Sequence, residues 1–316
     1  MGAILVTGGA GFIGSHLTDR LLADGRPVVA LDNFDPFYDA SWKRKNIEAA
    51  LRHPAYRLVR GDIRDAAALD DACGGAPIDA VVHLAARAGV RPSIEDPAGY
   101  VSVNLDGTVS LLEACRRRGV GRFVFGSSSS VYGNNEKVPF AEDDPVDHPI
   151  SPYAATKRGG ELLAHTYHHL FGMKVACLRF FTVFGPRQRP DLAIRKFAML
   201  MADGRELPVF GDGTSGRDYT YVSDIVDGVV RSLDRASGFH IWNLGGSHPV
   251  ALNDLVATLA RGLGKQPRIQ RLPPQPGDVN RTWADVSRAK RDLDWAPRTG
   301  FQEGMDSFFA WFRSAS

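Results

Sequence analysis

The first half of the chain alternates between two hydrophobic rhythms. Short apolar runs at 3–7, 27–32, 56–60, 79–84, 122–127 and 174–180 read as strands. Between them, stretches at 12–24, 66–73, 97–118 and 152–171 carry apolar positions at helical spacing. Strand and helix in strict alternation predict a parallel sheet with helices on both faces. Right-handed crossovers then give a doubly wound, Rossmann-like α/β sheet.

After about residue 180 the rhythm loosens. Gly185-Pro186, Arg189-Pro190, Gly211-Asp212-Gly213 and Pro273-Pro274 punctuate the chain as loops. Helical patterns recur at 191–203, 223–234, 252–263 and 302–313, with strand-like pieces at 207–210 and 240–244. The expected division is a Rossmann domain over 1–180, joined by 215–245 returning to it. A smaller C-terminal substrate-binding lobe would use 181–214 and 246–316 and cover the carboxyl edge of the sheet.

Composition narrows the setting. The 316 residues exceed one ordinary core and fall short of two, as one large domain with a lobe requires. Hydrophobic content of 44% and charged content of 23% are ordinary for a globular protein. With 38 basic and 36 acidic residues, the net charge of +2 gives no reason to expect a nucleic acid or membrane partner. The run Arg116-Arg117-Arg118 falls at a helix end, where cations are favoured anyway. Cys73, Cys115 and Cys177 are odd in number and far apart, which fits neither a disulfide framework nor a metal site. No signal peptide or membrane span is visible, and a reducing cytoplasm is expected.

The first strand runs into Thr7-Gly8-Gly9-Ala10-Gly11-Phe12-Ile13-Gly14 and then a helix. Glycines there permit a tight turn and close approach of backbone to a pyrophosphate, with the helix N-terminus offering its free N–H groups. Asp32, at the end of the second strand, follows Gly14 by 18 residues, where an acid accepts from the adenosine ribose. Its charge would repel a 2′-phosphate, so NAD is expected rather than NADP. Asn33 adjoins it, and Lys43 or Arg44 is open as a contact to the adenosine end. Asp62 and Ile63 follow the third strand, where Asp62 can meet the adenine edge. The fourth strand ends in Leu84-Ala85-Ala86, small enough to let backbone approach the cofactor.

The fifth strand opens into Ser127-Ser128-Ser129-Ser130 at the edge where open α/β sheets bind ligands. Tyr153 and Lys157 lie four apart and share a helical face. An amine beside a phenol is expected to lower its pKa from about 10, suiting Tyr153 to acid/base work on a hydroxyl. A serine such as Ser128 can hold the substrate oxygen while Tyr153 moves the proton.

Taken together, the glycine turn, Asp32, the Ser128–Tyr153–Lys157 set and Gly216-Arg217-Asp218-Tyr219 resemble the extended short-chain dehydrogenase/reductase family over nearly the whole chain. The resemblance implies tightly held NAD, tyrosine acid/base chemistry and a nucleotide-sugar substrate. Among its branches the chain looks most like the UDP-glucuronate 4-epimerases, through residues 137–167 and through Arg179 to Asp191, which includes Gly185-Pro186-Arg187-Gln188-Arg189-Pro190-Asp191. That likeness implies that Phe180 meets the nicotinamide, Ser128 and Ser129 meet the sugar, Thr182 and Arg189 hold its carboxylate, and Arg217 and Asp278 bind UDP. Arg187 competes with Arg189 for its role. A homodimer is implied as well.

Chemistry agrees with a carboxylate clamp. Oxidation at C4 of a glucuronate makes a β-keto acid, which loses CO2 most readily when the C–CO2 bond aligns with the carbonyl π system. An arginine fork can hold the carboxylate out of that alignment. The implied activity is interconversion of UDP-glucuronate and UDP-galacturonate through a 4-keto sugar. The alternatives are a UDP-glucose 4-epimerase, a UDP-glucuronate decarboxylase and a non-enzymatic NAD sensor. The decarboxylases and dehydratases carry an acid just before Val131-Tyr132-Gly133, where this chain has serines. Thr182 replaces the asparagine of UDP-galactose 4-epimerases, and Gln275 stands where an arginine often binds the diphosphate.

Overall fold

The computed structural model describes residues 2–273, 279 and 281–315. Its main sheet contains β1 (Ala3–Thr7), β2 (Val28–Asp32), β3 (Tyr56–Arg60), β4 (Ile78–His83), β5 (Arg122–Ser128) and β6 (Lys174–Phe180). Three strands of the smaller lobe follow in the chain: β7 (Thr182–Phe184), β8 (Glu206–Phe210) and β9 (Gly216–Tyr221). The next strand, β10 (Phe239–Leu244), returns to the main sheet, whose order is β10-β6-β5-β4-β1-β2-β3 with every pair parallel. Chain order reverses between β1 and β4, which opens a crevice beyond their carboxyl ends.

All five residues of β1 are buried, and their alternation shows why. Ile4 and Val6 join one apolar cluster with helices Phe12–Ala23 and Val222–Arg235. Ala3 and Leu5 face the opposite cluster with helices Ala66–Gly74, Gly107–Arg117 and Pro152–Phe171. Burial on both faces is what a parallel strand covered by crossover helices requires.

The smaller lobe has its own core. Phe184, Phe197, Leu207, Leu255, Met305 and Phe308 pack between helices Ala193–Ala202, Leu252–Leu263 and Phe301–Ala315. The strand β11 (Pro249–Ala251) pairs with β9, which pairs with β7, and β12 (Arg268–Leu272) pairs with β8.

Two expectations change. The stretch 215–245 does not return to the main sheet as a whole: β9 pairs within the lobe, while helix Val222–Arg235 and β10 join the main layer. The pattern at 97–118 is not one regular helix. Pro97–Val101 and Gly107–Arg117 are α-helical, and Ser102–Asp106 between them is a π-helical turn. Such turns often mark functional positions.

Candidate active site

One cavity of about 470 Å³ follows the crevice along the carboxyl ends of the strands. At its cofactor end, Gly8 leaves β1 with φ of +70°, a conformation glycine adopts freely. Gly8 N donates to Leu31 O at 2.8 Å and Gly11 N to Gly8 O at 3.0 Å. A Cβ on Gly14 would stand 2.1 Å from Gly8 O, so the helix can begin this close to the turn only with glycine there. Among the described residues no side chain caps helix Phe12–Ala23, and Gly11, Phe12, Ile13 and Gly14 at its N-terminus line the cavity.

Asp32 is buried at the end of β2, where its carboxylate accepts from Ala10 N at 3.0 Å and Phe34 N at 2.8 Å. A carboxylate has about four acceptor sites, so two remain for hydroxyls. Burial pushes its pKa up, against the nearby charge of Lys43. Lys43 lines the same wall and donates to Asp35 O at 3.1 Å. Asp62 accepts from Arg64 and Asn33, and the Arg64 contact leads in holding its carboxyl down to about 2.

On the far side of the glycine turn, Leu84, Ala85 and Ala86 form the wall. His83, just before them, is buried between Thr7 Oγ at 2.7 Å and Thr108 Oγ at 3.0 Å. Thr108 spends its own proton on Asn104 O at 2.6 Å, so it accepts from Nε2–H of His83. Nδ1 therefore accepts from the Thr7 hydroxyl, which in turn accepts from Ala85 N at 3.2 Å. Burial lowers the imidazole to about 3, so the ring is neutral, as this relay demands.

The reacting end lies at β5. Helix Pro152–Phe171 starts with Ser151 capping Ala154 N at 3.1 Å and Pro152 in its first turn, and ends at Gly172 in a left-handed conformation. This seats Tyr153 and Lys157 beneath Ser128. Lys157 is buried and donates to Gly126 O at 2.7 Å, with burial lowering its pKa to about 8. Ser128 donates to Ser130 Oγ at 3.2 Å and lowers the pKa of the Tyr153 phenol against its burial, while Ser127 turns away to donate to Glu161 at 2.7 Å.

One sequence expectation is corrected here. Burial, not the neighbouring amine, sets the direction of the shift at Tyr153 in this structure. Loss of solvent raises the phenol above its ordinary 10, and the opposing influences are Ser128 and Arg189. The amine is engaged with Gly126 O instead.

Thr182 and Arg189 line the remaining wall, with Phe180, Ser128 and Ser129. The Arg189 guanidinium lies 5.7 Å from the Phe37 ring centre and pairs with Asp191. Arg187 does not share this position: it pairs with Asp19 on helix Phe12–Ala23 at 2.7 Å. Arg217 sits on β9, outside the residues lining the cavity, and donates to Gly216 O at 3.0 Å. Asp278 and Gln275 lie outside the described residues.

A strand-end serine, a buried lysine and a tyrosine beside the carboxyl ends of a parallel sheet form a site for oxidation and reduction of a carbinol. The family described as NAD dependent epimerase/dehydratase matches residues 4–245. The chain belongs to this family. Among its relatives, the UDP-glucuronate 4-epimerase of Thermodesulfobacterium geofontis is 42% identical over 312 residues, covering 98% of this chain and 96% of that one. The solved UDP-glucuronic acid 4-epimerase from Bacillus cereus, in complex with UDP-glucuronic acid and NAD, superposes with a TM-score of 0.93 at 37% identity, covering 99% and 100% of the two chains. The UDP-glucose 4-epimerase of Thermus thermophilus, in complex with NAD, gives 0.91 at 34% identity over 99% and 100%.

Several side chains that shape this epimerase/dehydratase site were not found in the sequence. Asn104, in the π-helical turn, accepts from Arg87 N at 2.8 Å and donates to Arg87 O and Thr156 Oγ, both at 3.0 Å. It thus ties the loop after β4 to the tyrosine helix. Tyr100 packs edge-on against Tyr153 with ring centres 6.3 Å apart and donates to Ala88 O. Nothing in local spacing marks either residue, since both act across elements distant in sequence.

Proposed function

We propose that this chain is an NAD-dependent UDP-glucuronate 4-epimerase, interconverting UDP-glucuronate and UDP-galacturonate through a transient 4-keto sugar. The observation that carries the substrate is Arg189, a guanidinium lining the cavity that also holds Ser128, Tyr153 and Lys157.

The residues present fit NAD. The Gly8–Gly14 turn closes to a separation that any Cβ at Gly14 would fill, the first N–H groups of the helix are uncapped, and Asp32 keeps acceptor capacity for a ribose. Bound there, NAD would take up and return the hydrogen at C4, and its oxidised ring would add a positive charge favouring the Tyr153 phenolate.

The chain's own groups do the rest. Ser128 holds the substrate O4 by a hydroxyl that lines the same cavity as the Tyr153 phenol. Tyr153 accepts the O4 proton as C4 becomes a ketone and returns it when C4 is reduced from the other face. Lys157 keeps a cation under β5. Turnover to the epimer requires the sugar to rotate about its phosphate linkage between the two steps. Thr182 and Arg189 hold the C6 carboxylate away from alignment with the new carbonyl, which suppresses loss of CO2.

Proton NMR of UDP-glucuronate incubated with the NAD-loaded enzyme tests this directly. UDP-galacturonate is expected, without net NADH. Release of CO2 with a UDP-pentose would make the protein a decarboxylase. Arg189→Ala should remove most activity on the uronate; a neutral-sugar epimerase would lose little.

A homodimer and a cytoplasmic setting belong to the same proposal. Leu162 and Leu170 stand about half exposed on helix Pro152–Phe171. Such apolar surface suits a second copy. The three cysteines are free and buried, as a reducing compartment allows. Sedimentation of Leu170→Asp against wild type tests the dimer, and a monomeric wild type would refute it.

A further inference from the structure

The Arg189–Asp191 contact uses one particular edge of the guanidinium. Nε donates to Oδ1 at 3.0 Å and Nη2 to Oδ2 at 2.7 Å. A guanidinium has five N–H donors and two edges that can each grip a carboxylate with different hydrogens. Asp191 takes the side edge. The end edge, formed by Nη1 and the second hydrogen of Nη2, is not used by this pair.

The two residues also differ in place. Arg189 lines the catalytic cavity, and Asp191 is not among the lining residues. Phe37 flanks the guanidinium, and Leu192 N donates to Arg189 O at 3.2 Å, closing the turn that sets Asp191 against its partner. An arginine side chain carries some of the largest rotamer freedom of any residue. Fixing one edge removes much of that freedom before substrate arrives.

Building on the proposed UDP-glucuronate activity, we propose that Asp191 is a positioning residue. It grips the side edge of Arg189 so that the end edge faces the substrate carboxylate, and it thereby sets the preference for a uronate over a neutral sugar. Its own negative charge opposes the incoming carboxylate. That opposition is weakened by the intervening guanidinium and by water, since the Asp191 side chain is 33% exposed.

The test uses the NAD-loaded enzyme with UDP-glucuronate turnover followed by NMR and UDP-glucose affinity measured by calorimetry. Asp191→Asn should raise KM for UDP-glucuronate about fivefold, the order of one charge-assisted contact, with kcat and UDP-glucose affinity within about twofold. Asp191→Glu, which keeps the charge, should recover at least half of the loss. An unchanged or lower KM in Asp191→Asn overturns the proposal, because the aspartate would then be idle or a competitor. Equal weakening of UDP-glucose also overturns it, because the defect would then be a disordered loop. Wild-type enzyme that fails to convert UDP-glucuronate overturns the functional reading and this proposal together. Wild-type conversion with any of the other adverse results overturns this proposal alone.

Discussion

Lys157 Nζ donates to the carbonyl oxygen of Gly126 at 2.7 Å, one helical turn beyond Tyr153. The bond holds a buried ammonium against the end of β5, where burial lowers its pKa to about 8 and Glu161 pushes the other way. Below that value the cation is present; above it the amine is neutral and its field at the site is gone. The kcat/KM profile should therefore fall on the alkaline side with a midpoint near pH 8. Lys157→Met should lack this limb and lie about 10²–10⁴ below wild type, the usual weight of an acid/base apparatus. Steady-state rates from about pH 6 to 10 check both; a wild-type plateau through about pH 9.5 would contradict the assignment.

The glycine turn makes a sharper structural demand. A methyl at Gly14 meets Gly8 O at 2.1 Å, and that atom is backbone, which cannot swing aside. Gly14→Ala should therefore open the turn and weaken NAD binding by at least about tenfold, with the fold retained because Gly14 begins a helix already anchored by Leu17 and Leu21. Calorimetric titration of NAD and a circular dichroism spectrum distinguish a lost cradle from a lost fold.

Much of this architecture was readable from the sequence. The six strands from 3 to 180 and their helices follow from apolar periodicity, because the inner strands β1, β2, β5 and β6 are covered on both faces. The glycine turn, Asp32, Ser128, Tyr153 and Lys157 were readable because they sit at strand ends or at helical spacing, where local sequence and position coincide. The strands β7, β9, β11 and β12 were not: β7 and β11 are only three residues long, β9 and β12 are mostly polar, and their pairing is decided by tertiary contacts. The charge environment of Tyr153 was likewise hidden. Four residues of spacing brought Lys157 onto the same helical face, but its hydrogen-bond partner is a carbonyl on β5, and burial sets the direction of the shift at the phenol.

His83 gives a stability test with a definite sign. Its ring, set in the Thr7–His83–Thr108 relay, is held neutral by burial, with a folded pKa of about 3 against an ordinary 6.5. Above pH 6.5 both folded and unfolded forms are neutral, and the relay contributes in full. Between 6.5 and 3 the unfolded chain binds the proton and the folded one does not, so stability falls as pH falls. The slope is about 1.4 kcal/mol per pH unit from this group. Urea unfolding at about pH 7 and about pH 5 should show a smaller pH-dependent loss in His83→Gln than in wild type. Equal losses would mean that the imidazole takes up its proton in the folded state.

Behind the site, Arg179 and Glu161 form an ion pair with almost no exposure, at 1% and 0% of the side chains. Glu161 accepts from Arg179 Nε and Nη2 at 2.9 Å, from Ser127 at 2.7 Å and from Arg158 at 3.1 Å. Arg179 also donates to the Tyr132 hydroxyl at 3.0 Å, which donates to Asn243 at 2.7 Å. The network joins β5, β6, β10 and the tyrosine helix directly beneath Ser128. Removing Glu161 strands Arg179 in a dry interior, and removing Arg179 leaves Glu161 buried with only Arg158 as an ion-pair partner among the described residues. Glu161→Leu alone should therefore cost about 3–5 kcal/mol, as should Arg179→Met alone. The double variant removes both charges and should cost less than the sum of the two singles by at least about 1 kcal/mol. Chemical denaturation of all four proteins measures that coupling. Strict additivity would mean that water reaches the pair and that the floor of the site is less dry than its burial indicates.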